Sequence, residues 1–385
     1  MVLGFQEQGF WFGKRVLVTG HTGFKGSWLC YWLYLLGARV TGYGLAPATS
    51  PHLFGLLGLD ALVDSHYGDI GDTAALRSLM AQAQTEVVFH LAAQAQVAPS
   101  YRQPQATFST NLMGTVSILE AVRLSATVGV CVCVTSDKCY AQPGSGHPFV
   151  ETDPLGGYDP YSASKAAAEL AVASYRQSYF AGDNACSVST ARAGNALGGG
   201  DWSAHRLMPN SIRALVAGAP IGLTQPDAVR PWQYVLEPLS GYLSLAEHQH
   251  AHGQAFAEAF NFGPDAQSAV TVRELAQRTI AEWGAGSFEV SSSEQTYREE
   301  PHLQISTAKA GRRLAWRPAY DLPQTVQATV RSYRAFYEAM SASDGAVPRV
   351  RAQCADDIAA YTRAAYAKGI AWAHSKTQAL TGAAD

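Results

Sequence analysis

Arg15-Val16-Leu17-Val18-Thr19-Gly20-His21-Thr22-Gly23-Phe24-Lys25-Gly26 runs a short apolar strand directly into three glycines spaced three apart. After them, Gly23–Leu36 has the apolar spacing of a helix. A glycine turn between a strand and a helix lets backbone approach a pyrophosphate, and the helix N-terminus adds amide donors and a favourable dipole. Gly20, Thr22, Gly23, Phe24, Lys25 and Gly26 are therefore candidate nucleotide contacts. Lys25 either adds positive charge there or lies in solvent. A glycine triplet alone says little, and its position at the first strand–helix junction is what gives it weight.

Outward from that turn the chain alternates short strands with amphipathic helices. Strand patterns fall at Ala38–Gly42, Val87–His90, Val128–Thr135 and Ser187–Arg192, and helical ones at Asp72–Gln82, Phe108–Leu124 and Tyr161–Phe180. Repeated strand–helix–strand order predicts an α/β fold, a Rossmann-type doubly wound parallel sheet covered on both faces. After Gly198-Gly199-Gly200 the rhythm breaks, which predicts a smaller mixed α/β substrate-binding lobe. The expected division gives 1–192 plus about 228–262 to the nucleotide-binding domain and about 193–227 plus 263–340 to the smaller lobe. Residues 341–385 form a C-terminal helical extension and tail, whose last ~20 residues are Ala-rich and weakly patterned.

Two further stretches face the same ligand in this reading. Gly68-Asp69-Ile70-Gly71 follows a third strand, where a carboxylate meets the adenine amino group, and Leu91-Ala92-Ala93 follows the fourth with small side chains. An acid gripping the adenosine ribose is expected after the second strand, but that position reads Leu45-Ala46-Pro47. No basic cluster stands there for a 2′-phosphate, so NAD is favoured over NADP.

Tyr161-Ser162-Ala163-Ser164-Lys165 opens a long helix behind Pro160. Residues four apart share a helix face, so phenol and ammonium can meet one ligand. A cation beside the phenol is expected to lower its pKa from ~10 toward that of a general base. Tyr–Lys at this spacing is also a common surface pair, but of seven lysines only Lys165 has a tyrosine four residues before it. Ser136, ending the preceding strand, can hold the same substrate hydroxyl. Asn111 is read as supporting the lysine or as a packed polar residue. Asp137 and Lys138 add two titratable groups suited to losing a proton and a hydroxyl, or form a salt-bridged loop.

Together the Gly20–Gly26 turn, Leu91–Ala93, Asn111, Ser136 and the Tyr161/Lys165 pair resemble the extended short-chain dehydrogenase/reductase family over about Arg15–Leu322. Within it, Gly20–Trp28, Thr135–Tyr140, Gly156–Ser162, Arg192–Asn195, Gly198–Trp202 and Arg230–Pro238 are similar to the CDP-glucose 4,6-dehydratases. The TDP-glucose branch carries Asp-Glu where this chain has Asp137-Lys138, so the lysine points to the CDP branch. The resemblance implies a hydro-lyase acting in deoxysugar biosynthesis, with NAD as cofactor and a nucleotide sugar, CDP-glucose favoured, as substrate. It implies that Tyr161, with Lys165 and Ser136, serves oxidation at C4, that Asp137 is the acid for the C6 hydroxyl and that Lys138 is the C5 base. Gln94, Asn195, Arg206, Asn210, Arg230 and His302 become candidate substrate contacts, Arg230 as a fork on the diphosphate. The region Arg298–Ser306 departs from the family, with Ser306 where an acid is expected, which leaves the nucleotide open. A 4-epimerase, a dehydratase of another nucleotide sugar and a non-catalytic NAD-binding scaffold are the competing readings.

Composition narrows the partners. The 385 residues are 47% hydrophobic with a formal net charge of −3, which offers no electrostatic attraction to nucleic acid or anionic membrane. The N-terminus lacks a signal-peptide pattern and no apolar run is long enough to span a bilayer. Six cysteines without a Cys-x-x-Cys pair read as reduced thiols of a cytoplasmic protein. His248, His250 and His252 are read as solvent-facing, so no metal is expected. By resemblance the chain forms a homodimer or homotetramer through its long helices.

Overall fold

The computed structural model describes residues 9–141, 147–182, 185–290, 303–343 and 345–373. Its main sheet contains β1 (Arg15–Thr19), β2 (Arg39–Gly44), β3 (Asp64–Tyr67), β4 (Val87–His90), β5 (Val130–Val134), β6 (Ser187–Ala193) and a seventh strand, Ala259–Phe262. Their order is 3-2-1-4-5-6 followed by the seventh, and every neighbouring pair is parallel. The order reverses between β1 and β4, the crevice where doubly wound sheets bind ligands.

Strand periodicity sorts side chains between two cores. Val16, Val18, Val130 and Val132 face one layer, with Leu29, Leu33, Leu239 and Tyr333. Leu17, Cys131 and Cys133 face the other, with Leu79, Ile118, Val122 and Val172. This alternation explains the apolar runs read as buried strands. The second layer is built from Thr73–Gln82, Gly114–Arg123 and Pro160–Tyr179.

The segment expected as a helix over Phe108–Leu124 is helical, but it begins earlier and carries a π turn. Val97–Arg102 and Pro104–Phe108 precede a π-helical turn, Ser109–Met113, which leads into Gly114–Arg123. Beyond β6 lie three two-stranded ribbons, of which Ile221–Leu223 with Phe288–Val290 joins the helices Leu207–Val216 and Val272–Trp283 around a small core of Leu215, Ile221, Leu223 and Ala276. Leu236–His252 packs on the main sheet.

The C-terminal extension is anchored to the core as far as Ala373. Ala346–Ala367 buries Val350, Cys354, Ile358, Tyr361 and Ala365, and Ile370, Trp372 and Ala373 are buried as well. Residues 374–385 lie outside the described residues. No helix among the described residues is long and apolar enough to cross a membrane.

Candidate active site

The glycine turn packs so tightly that side chains are excluded from it. Gly20 has φ +70°, and a Cβ there would lie 2.8 Å from the Ala92 amide nitrogen. A Cβ on Gly26 would collide with the Gly20 carbonyl oxygen. Thr19 locks the neighbouring strand ends, its Oγ1 accepting from the Leu91 and Ala92 amides at 3.1 and 3.2 Å and pairing with His90 Nδ1 at 2.8 Å. The helix opening at Phe24 has no side-chain cap, which leaves its first-turn amides for an anion. Thr22 Oγ1 donates to the Leu45 carbonyl, and half-buried Leu91, Ala92 and Ala93 line the adjoining strand end. Asp69 is exposed and accepts from the Gly71 amide at 2.7 Å, while Ile70 is buried beside Gly114. A cradle that excludes Cβ atoms beside an uncapped helix start fits a dinucleotide pyrophosphate.

The redox candidates meet at the end of β5. Asp159 caps the Pro160–Tyr179 helix, its Oδ1 accepting from the Ser162 amide, which sets Tyr161 and Lys165 on the buried face. Burial pushes the Tyr161 phenol up to about 12, although a hydrogen bond with Ser136 and the charge of Arg206 pull it down. This is opposite to the lowering expected from a nearby lysine. Lys165 Nζ instead donates to the Val134 carbonyl at 3.2 Å, and burial pushes the ammonium down to about 8 while Glu169 holds it up. Burial dominates at both groups, disfavouring the charged form of each. Asn111 contacts neither directly: its Nδ2 donates to Ser164 Oγ at 2.8 Å, and Ser164 donates to the Tyr161 carbonyl at 2.7 Å.

Ser136, Asp137 and Lys138 occupy a tight turn. Ser136 Oγ donates to Asp137 Oδ1 at 3.0 Å and accepts from the Lys138 amide at 3.2 Å. Burial raises the Asp137 carboxyl above its ordinary value against the pull of Lys138, Ser136 and Lys25. Lys138 is half-buried beside it.

Lys25 does not lie in solvent. It is half-buried in the same cleft and pushed down to about 8 by burial, with Arg206 and Lys165 adding repulsion and Asp137 and Asp201 attraction. Arg206 Nη1 pairs with Asp201 Oδ2 at 2.9 Å, an acid the sequence reading did not single out. The structure thus brings Lys25, Ser136, Asp137, Tyr161, Lys165 and Arg206 together.

The other candidates have different surroundings. Gln94 is tied to Asn111 through its backbone, and its side chain turns back to Gln96 and Thr107. Asn195 is half-buried just after β6, its carbonyl accepting from the Gln233 amide. Asn210 is exposed and accepts from Arg213 at 2.5 Å. Arg230 lies on the ribbon Val229–Pro231, which pairs with Ala269–Thr271. His302 lies outside the described residues.

Comparison with known proteins gives the family and the fold. The GDP-mannose 4,6 dehydratase family model matches residues 17–329. A CDP-glucose 4,6-dehydratase of Salmonella typhimurium is 42% identical over 334 residues, covering 86% of this chain and 93% of the relative. A dTDP-glucose 4,6-dehydratase of Streptomyces venezuelae, solved with NAD bound, superposes with a TM-score of 0.70 at 25% identity, covering 83% of this chain and 97% of that one. An epimerase of Methanothermobacter thermautotrophicus shares the fold, with a TM-score of 0.73 at 23% identity over 86% of this chain and 96% of that one. A parallel sheet reversing at β1/β4, a glycine cradle, a buried Tyr161/Lys165 pair and a match over most of its length show that the chain belongs to the GDP-mannose 4,6 dehydratase family.

Proposed function

We propose that the chain dehydrates CDP-glucose to CDP-4-keto-6-deoxyglucose plus water in deoxysugar biosynthesis, with NAD as a cofactor restored in each turnover. The observation that carries this reading is the turn holding Ser136, Asp137 and Lys138 beside Tyr161, with the Asp137 carboxyl buried and raised. Oxidation alone needs no such acid. NAD, when bound, supplies a reversible hydride acceptor and a positive charge that favours phenolate. Tyr161 takes the proton of the C4 hydroxyl, which Ser136 orients. The resulting 4-ketone acidifies C5, Lys138 takes that proton, and Asp137 protonates the departing C6 hydroxyl; C6 then receives the hydride that left C4 and C5 takes its proton back from Lys138, which balances the dehydration. Gly20, Thr22, Gly23, Phe24, Gly26, Asp69, Ile70, Leu91, Ala92 and Ala93 hold the cofactor, and Arg206, Arg230 and Asn195 face the diphosphate.

A single panel tests it: CDP-, TDP-, UDP- and GDP-glucose, each with and without NAD, read by absorbance of the 4-keto product in alkali. The expected result is product from CDP-glucose alone. CDP-galactose without ketone would make the enzyme a 4-epimerase and end the dehydratase reading. Tyr161→Phe is expected to lower kcat on the order of 10²–10⁴-fold, and full activity in that variant would remove the tyrosine from the mechanism.

The protein acts in the cytoplasm as a homodimer or homotetramer in this proposal. Six buried cysteines without a disulfide support a reducing compartment. Exposed Met113, Leu124, Leu170 and Tyr179 on the two long helical segments support association there. Light scattering checks this, and a monomer would refute it.

A further inference from the structure

Beneath the site lies an ion pair that the proposed chemistry does not use. Glu169 stands four residues after Lys165, on the same face of the Pro160–Tyr179 helix. Its carboxylate meets Arg192 Nη2 of β6 at 2.8 Å, with the two side chains only 3% and 4% exposed. The remaining acceptor positions are used too: Thr135 Oγ1 donates to Oε1 at 2.5 Å and Thr190 Oγ1 to Oε2 at 2.8 Å. Arg192 Nη1 in turn donates to the Tyr140 hydroxyl at 2.8 Å and the Glu151 carbonyl at 3.1 Å, and the guanidinium lies 4.9 Å from the Tyr140 ring centre. The Tyr140 hydroxyl donates onward to Asn261 Oδ1 at 2.7 Å.

Thr135 immediately precedes Ser136, and Tyr140 closes the turn that carries Ser136, Asp137 and Lys138. The pair therefore grips that turn at both ends, Glu169 at the start and Arg192 at the finish. We propose that Glu169 and Arg192 are positioning residues of the dehydratase site, fixing the Ser136–Tyr140 turn against the catalytic helix and supplying the negative charge that Lys165 faces. Other groups around Lys165 cannot replace that charge. Cys139 of the turn is a thiol pushed up by burial, and His90 and Lys25 are themselves pushed toward neutrality, in part by Lys165; Cys133 of β5 is the remaining neighbour. The inference rests on the reading of Tyr161 and Lys165 as the redox pair.

The test measures the Lys165 ionisation itself and the activity of the NAD-loaded enzyme. Competitive acetylation with acetic anhydride over pH 6–10, read at the Lys165 peptide by mass spectrometry, needs no substrate. In Glu169→Gln the labelling midpoint and the alkaline limb of kcat are both expected to move down by about one pH unit, a change of ~10-fold at a fixed pH on the limb. A midpoint that stays put in the folded variant would overturn the proposal even if kcat falls. Should Glu169→Gln fail to fold, Glu169→Gln/Arg192→Met removes both charges and is read in the same way. Arg192→Lys keeps the charge and loses the fork, so it should lower kcat with the Lys165 midpoint unchanged; undiminished kcat would show that the turn is not held from this side. An inactive wild type with a shifted Lys165 midpoint in Glu169→Gln would sink the dehydratase reading and leave the positioning intact.

Discussion

Single glycines in this site fail in different ways when replaced. A Cβ on Gly194 would collide with Asp137 Oδ2, the far end of a side chain that can swing aside. Gly194→Ala should therefore fold normally while displacing the proposed acid. A misplacement of about 1 Å costs on the order of 10²-fold in rate, so kcat should fall by roughly that factor with little change in Tm. A variant with wild-type kcat would argue that Asp137 does not work from its position beside Gly194. Gly20→Ala meets backbone instead, 2.8 Å from the Ala92 nitrogen, and its φ of +70° disfavours any L side chain. It should lose NAD binding in calorimetry and stability in thermal unfolding together. Gly20 is legible in the sequence because its motif is local. Gly194 is not, because its neighbour Asp137 is 57 positions away and meets it only across the β5–β6 sheet edge.

The helical segment that carries Asn111 shows what periodicity can and cannot reveal. Its apolar spacing predicts one helix, and the chain does stay helical there. The π turn at Ser109–Met113 adds a residue to one turn of a continuous helix, and apolar spacing over so short a segment does not single it out. It sits where Asn111, 2% exposed, joins three partners: the Gln94 amide, the Gln94 carbonyl and Ser164 Oγ. These bonds clamp the loop after β4 to the Pro160–Tyr179 helix. Asn111→Leu should cost about 1–3 kcal/mol by leaving buried polar groups unpaired, measured by urea denaturation. Activity should fall further than stability alone explains, since Ser164 also holds the Tyr161 carbonyl. A variant as stable as wild type would show the clamp to be dispensable. The Tyr161/Lys165 pair was legible one helix away because four residues of spacing suffice to place it. Glu169 repeats that spacing, and its meaning appears only with Arg192, 23 residues on and in the adjoining strand.

Across the whole molecule, the C-terminal extension lies outside the matched span of 17–329 yet belongs to the main core. Arg351 donates to the Leu57 and Gly58 carbonyls at 2.6 and 2.9 Å, and Lys368 Nζ to the Ala319 carbonyl at 2.5 Å. At the centre Glu237, fully buried, accepts from the Tyr361 hydroxyl at 2.6 Å and from the Ala319 and Tyr320 amides. Pairing residues 124 apart is beyond any local pattern, so the sequence predicts a helical extension there without showing what it packs against. Burial pushes the Glu237 carboxyl up to about 7 from 4.5, despite those hydrogen bonds and Lys368. Folding therefore protonates it between pH 4.5 and 7. Its contribution to stability is most favourable below 4.5, declines as pH rises through that window and is lost above 7, a penalty on the order of 3 kcal/mol. Glu237→Gln keeps an oxygen for the backbone amides and has no proton to lose; its NH2 can donate to Tyr361 once that hydroxyl turns to donate to Ser240 Oγ, 3.1 Å away. The difference in Tm between Glu237→Gln and wild type should accordingly shift in favour of the variant from pH 5 to pH 8, read by calorimetry at matched ionic strength. Comparing the two proteins at each pH cancels every other titrating group. A difference that stays constant across that range would mean that Glu237 is ionised throughout, and that the extension is held by a buried charge rather than by a neutral acid.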